Sequence, residues 1–187
     1  MKIVILPGVG FQEDRVDEKL NEYLSKKLGA EVIWYNWRHE LTYPKIELSY
    51  NFIRKWLSEV IFDFQFSINH AHDIDIPKAD YYIGHSAGSL IAAIKDKPCI
   101  LMGSPITLIE EYQLNDVLQA PPLPTKNVLN IINTYDALAY PSTLPYIINQ
   151  FVKFSWYNPI KAHTRYFNNK NVIRAIYKQI KYWEEHK

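Results

Sequence analysis

Short apolar runs alternate along this chain with longer segments in which hydrophobic positions return every three or four residues. Lys2 to Leu6 is a run of the first kind, closed by Pro7-Gly8-Val9-Gly10, and it reads as a buried strand. In residues 13–28, Val16, Leu20, Leu24 and Leu28 fall four apart on one helical face, and Gly29 marks the end. Residues 31–37 read as a second strand. Residues 46–66 repeat Phe52, Trp56, Val60 and Phe64 at helical spacing. A third strand, 80–84, runs directly into His85 and Ser86, and residues 87–95 follow as a helix. Residues 98–103 make a fourth strand, 107–119 a helix, 128–135 a fifth strand and 151–157 a weaker sixth. Residues 170–184 close the chain as a helix, with Val172, Ile176, Ile180 and Trp183 in register.

This alternation predicts an α/β fold: a mostly parallel six-stranded sheet with helices on both faces. A chain of 187 residues suits a single domain spanning 1–187. In such sheets ligands bind outside the carboxyl ends of the strands, so functional residues are sought immediately after strands.

Composition narrows the partners. A net charge of +1 gives no broad electrostatic case for nucleic acid or an acidic membrane surface. Cys99 is the only cysteine, so no intramolecular disulfide forms and a reducing compartment is compatible. The first apolar run is too short for a signal sequence, and no stretch has the length of a membrane span. A soluble, cytoplasmic protein is expected, with its oligomeric state open. Aromatic residues, at 14%, suit an aromatic-lined cleft and a Tyr-rich core equally well.

Gly84-His85-Ser86-Ala87-Gly88 matches G-x-S-x-G, with the required strand before it and apolar helix after it. The pattern has a physical reason. A nucleophilic serine must stand clear of the sheet on a sharp, crowded turn, and the following helix aims free N–H groups at developing negative charge. A serine also needs a base. Of the six histidines, His85 lies inside the turn, His186 in the C-terminal end and His39 before the serine. His163 lies in a loop between the last strand and the last helix, and satisfies the order serine, acid, histidine. Asp136, after the fifth strand, is the expected acid that fixes the base's tautomer; Glu110 and Glu111 are reserve candidates.

The loop Pro7-Gly8-Val9-Gly10 is placed to offer the Val9 N–H to an oxyanion, with Ala87 N–H as second donor. It lacks the third glycine of a dinucleotide fingerprint and the Lys-Ser/Thr of a P-loop. His70-Ala71-His72-Asp73-Ile74-Asp75 has metal-ligand types, but no second cluster supplies further ligands, and a solvated linker is the better reading.

Taken together, these pieces resemble the α/β-hydrolase superfamily, particularly its small members without a lid domain. The resemblance covers nearly the whole chain in element order. It is carried by Leu6-Pro7-Gly8-Val9-Gly10, by Gly84 to Gly88, by Thr134 to Pro141 and by Ala162 to Phe167. It implies a Ser86–His163–Asp136 triad, Val9 and Ala87 as oxyanion donors, no cofactor or metal, and hydrolysis of an ester, thioester or amide of a small or medium acyl group. The same fold also hosts non-catalytic binding proteins and acyltransferases. The sequence departs from the pattern in two places. The first loop begins Pro-Gly where many relatives have His-Gly, and the long, Pro-rich stretch 138–162 lacks the usual glycine before the histidine, leaving a partial lid as one use for it. Trp34, Trp37 and Tyr112 are candidate walls of an open cleft.

Overall fold

The computed structural model describes residues 1–8, 18–37, 73–95, 97–107, 127–155 and 157–187. Six strands, β1 (Lys2–Leu6), β2 (Glu31–Trp34), β3 (Tyr81–His85), β4 (Cys99–Met102), β5 (Val128–Asn133) and β6 (Ile147–Val152), form one sheet in the order β2-β1-β3-β4-β5-β6. Every pairing is parallel. The described helices are α1 (Glu18–Leu28), α2 (Ala87–Ala93), α3 (Pro159–Thr164) and α4 (Lys170–Glu185).

Alternation along the strands sorts the core into two layers. Ile3 and Ile5 of β1 join Tyr81, Ile83, Ile100, Met102, Leu129 and Ile131 against Leu20 and Leu24 of α1 and Val172, Ile176 and Ile180 of α4. Val4 and Leu6 face the other way, with Tyr82, Leu101 and Val128, against Ala87, Leu90 and Ile91 of α2. The sheet is therefore covered on both faces, as the near-continuous apolar strands require.

The sequence places β1, β3, β4, β5 and α4 to within two residues. The second strand ends at Trp34 rather than residue 37. The sixth lies at 147–152 rather than 151–157, because its polar centre hides it: Asn149 is satisfied by Asn130 of β5 and by Ser142, so an edge strand needs no continuous apolar run. That strand also occupies part of the stretch 138–162, which thus adds to the sheet. The helices expected at 46–66 and 107–119 lie essentially outside the described residues. Among the described residues, no helix is long and apolar enough to cross a membrane.

Candidate active site

β3 delivers its chain into α2 through one residue, Ser86, with φ 51° and ψ −126°. A positive φ is costly for a residue with a Cβ, by about 1–3 kcal/mol, so the surroundings must enforce it. They do so by close approach. A Cβ on Gly88 would fall 2.3 Å from the Leu6 carbonyl oxygen, and one on Gly84 would fall 2.4 Å from Ser89 Cα. Both glycines of the motif are therefore dictated by the backbone of β1 and α2 meeting at the turn. Ser86 N–H donates to the Met102 carbonyl at 3.0 Å, and Ser89 N–H donates to the Ser86 carbonyl at 3.0 Å. Ser86 begins α2, yet its hydroxyl makes no capping bond and stays available for other work. Gly8, at the exit of β1, runs against it: a Cβ there would lie 2.6 Å from Ser86 Cβ.

That hydroxyl meets His163. Ser86 Oγ lies 3.0 Å from His163 Nε2, and His163 Nδ1 lies 3.0 and 2.9 Å from the two carboxyl oxygens of Asp136. An ionised carboxylate only accepts, so the imidazole carries its proton on Nδ1 and turns a lone pair at Nε2 to the serine. Asp136 and His163 are buried and Ser86 is half-buried, so the serine is the accessible member of the chain.

Burial opposes ionisation of Asp136, but the hydrogen bond and charge of His163, the Leu138 N–H and the Tyr166 hydroxyl outweigh it and hold the carboxyl below its usual range. Leu138 N–H donates to Oδ1 at 3.0 Å and the Tyr166 hydroxyl to Oδ2 at 2.9 Å. His163 is set by its own backbone as well. His85 Nε2 donates to the His163 carbonyl at 2.7 Å, and the two rings lie 5.0 Å apart. Burial, reinforced by His163, pushes His85 down from 6.5 to about 3, so it is a neutral donor.

The structure brings Ser86, His163 and Asp136 together and puts Ala87 in the first turn of α2, directly after the serine. His163 stands in the last turn of α3 rather than in a loop. The signal for that helix is Asn158-Pro159: the Asn158 side chain accepts from Lys161 N–H, and proline is at home in a first turn. Val9, His39, His70, His72, Glu110, Glu111 and Tyr112 lie outside the described residues. Trp37 is not a cleft wall; it is fully buried, and its indole N–H donates to the Pro7 carbonyl at 2.7 Å. Trp34 packs against Phe167 on the α4 side of the sheet. Among the described residues, no group of His, Cys, Asp or Glu could hold a metal.

Sequence reasoning missed Tyr166, Asn133 and Gly103. Asn133 donates from Nδ2 to the carbonyls of Phe154 and Ala162 at 3.0 and 2.9 Å, tying the exits of β5 and β6 to α3. Gly103, with φ 55°, follows β4 under the imidazole: a Cβ there would lie 3.0 Å from Asp136 Oδ2 and 3.3 Å from His163 Cε1.

Two solved structures share this architecture across the whole chain. A protein from Xanthomonas campestris pv. campestris, described as a hydrolase of the α/β superfamily, is 13% identical at a TM-score of 0.53, over 96% of this chain and 98% of its own. The mouse α/β hydrolase domain-containing protein 10 is 14% identical at a TM-score of 0.51, over 99% of this chain and 90% of its own. The chain has the α/β-hydrolase fold. No protein-family model and no curated protein matches its sequence. In this α/β-hydrolase fold the hydrogen-bonded serine and aspartate follow β3 and β5, and the histidine comes from α3, after β6.

Two outcomes are expected. Between about 6.5 and about 3, folded His85 binds fewer protons than the unfolded chain, so its contribution to stability is complete above that window and lost as pH falls through it. The melting temperature should decline over that window, and His85→Gln should flatten the upper part of the decline, which thermal melts at stepped pH will measure. Gly103→Ala should displace the Asp136 carboxylate and loosen its contact with His163, read as loss of the downfield His163 Nδ1 proton signal by NMR, while far-UV circular dichroism stays unchanged.

Proposed function

We propose that this chain is a serine hydrolase that cleaves an ester, thioester or amide of a small or medium acyl group through an acyl-enzyme. The observation that carries the reading is the unbroken contact from Ser86 Oγ to His163 Nε2 at 3.0 Å and from His163 Nδ1 to Asp136 at 2.9 Å. The hydrolase descriptions of the two structural neighbours support it.

In this reading His163 Nε2 takes the Ser86 proton as Oγ attacks the substrate carbonyl. Asp136 stabilises the imidazolium and keeps its tautomer without taking the proton. Negative charge gathers on the former carbonyl oxygen, and the N–H groups of Ala87 and Val9 are the proposed donors to it. One such donor is worth about 3–4 kcal/mol in the transition state. The intermediate collapses as His163 returns its proton to the leaving alcohol, thiol or amine, and the acyl group remains on Oγ. Water, deprotonated by the same Nε2, then releases the acid and restores Ser86. Nothing in this cycle calls on a cofactor or a metal. The buried Cys99, whose thiol burial pushes up to about 12, is no rival nucleophile.

A fluorophosphonate probe should label the wild-type protein on Ser86 and leave Ser86→Ala unlabelled; equal labelling of both, or of neither, sinks the reading. Turnover of p-nitrophenyl acetate should fall by about 10³-fold or more in Ser86→Ala and Asp136→Asn. Activity should also be lost on acidification, since protonation occupies the lone pair that Nε2 needs as base. A rate profile without an acid limb counts against His163.

A further inference from the structure

Tyr166 follows α3 by two residues and is completely buried. Its hydroxyl has two partners whose chemistry fixes its direction. The backbone N–H of Asn133, at 2.8 Å, can only donate, so it takes a lone pair of the phenol oxygen. The single O–H is left for Asp136 Oδ2 at 2.9 Å. The ring cannot easily withdraw. Phe154 meets it edge-on at 5.2 Å, His85 lies 5.5 Å away, and a Cβ on Gly103 would come within 3.0 Å of Tyr166 Cε2. Each carboxylate oxygen thus has one dedicated donor, Leu138 N–H for Oδ1 and Tyr166 O–H for Oδ2, while both face His163 Nδ1.

We propose that Tyr166 is a positioning residue: its hydroxyl, anchored on the end of β5, holds the Asp136 carboxylate in the orientation from which it grips His163. This rests on the hydrolase reading for its catalytic consequence, but not for the contact itself. Tyr166 acts on substrate only through Asp136 and His163, so it should govern kcat rather than KM. It also draws charge from the carboxylate. Among the described residues, the titratable groups facing Asp136 are His163 on α3, Tyr166 after it, and His85 at the end of β3, neutral by burial. Removing the hydroxyl leaves more negative charge on the Asp136 carboxylate to stabilise the His163 imidazolium.

The test compares the wild type with Tyr166→Phe, which keeps the ring and its packing. With p-nitrophenyl acetate, kcat should fall about 10-fold to 100-fold with KM unchanged, and the acid limb of kcat/KM should move up by about half a pH unit. Site-specific 3-fluorotyrosine at 166, a stronger donor of similar shape, should move the limb down; this second variant decides the matter if Tyr166→Phe folds poorly. The His163 ring titration, followed by NMR of the Cε1 proton and assigned with His163→Asn, should shift in the same directions. Wild-type kcat, acid limb and ring titration in both variants overturns the proposal. Shifted ring titrations in a protein that fluorophosphonate does not label leave Tyr166 positioning Asp136 and overturn the hydrolase reading alone.

Discussion

The parallel direction of all six strands is the constraint from which the site follows. It puts every carboxyl end on one edge, so loops from strands distant in sequence converge there. Ser86 leaves β3, Asp136 follows β5, and between them runs β4. Two strand spacings amount to roughly 9.5 Å, more than a serine and a carboxylate can bridge directly. An imidazole crossing over the end of β4 does bridge it, and this is where His163 lies. The strand beneath must then present nothing upward. Gly103, in a left-handed conformation and without a side chain, meets that demand at the exit of β4.

Burying an ionised carboxylate is expensive unless its lone pairs are used. Asp136 has three donors from three sources: the imidazole, the Leu138 amide and the Tyr166 hydroxyl. The neighbouring His85 could have upset this balance by carrying a charge of its own beside His163. Its burial prevents that, and its Nε2–H goes to the His163 backbone, where a neutral donor serves as well as a charged one. The Asp136 carboxylate is the buried end of the chain of contacts and the serine its more exposed end.

Much of this was legible in the residues and some was not, for reasons that differ. The buried strands show as apolar runs because both faces of a parallel sheet are covered, as in Ile3 to Leu6 and Cys99 to Met102. Gly84 and Gly88 are readable because steric demand at the turn leaves no other residue possible. β6 is hard to place from pattern because an edge strand tolerates Asn149 and Gln150, and hydrophobicity then points to the aromatic stretch after it. Tyr166 and Asn133 left no pattern at all. A tyrosine near a histidine and an asparagine ending a strand are common, and what distinguishes these two is three-dimensional: one hydroxyl between an amide and a carboxylate, one amide among three segments.

Asn133 explains why Asp136 and His163 stay in register though 27 residues separate them. Its backbone N–H holds the Tyr166 hydroxyl that meets Asp136. Its side-chain amide holds the Ala162 carbonyl, one residue before His163, and both backbone groups of Phe154. Asp136 and His163 are therefore referred to one residue at the end of β5, rather than to each other alone. A shift of α3 relative to the sheet works against the bond to Ala162 as well as against the contact between His163 and Asp136. The His163–Asp136 contact is in this way referred to the sheet, although His163 itself is carried by a helix of only six residues.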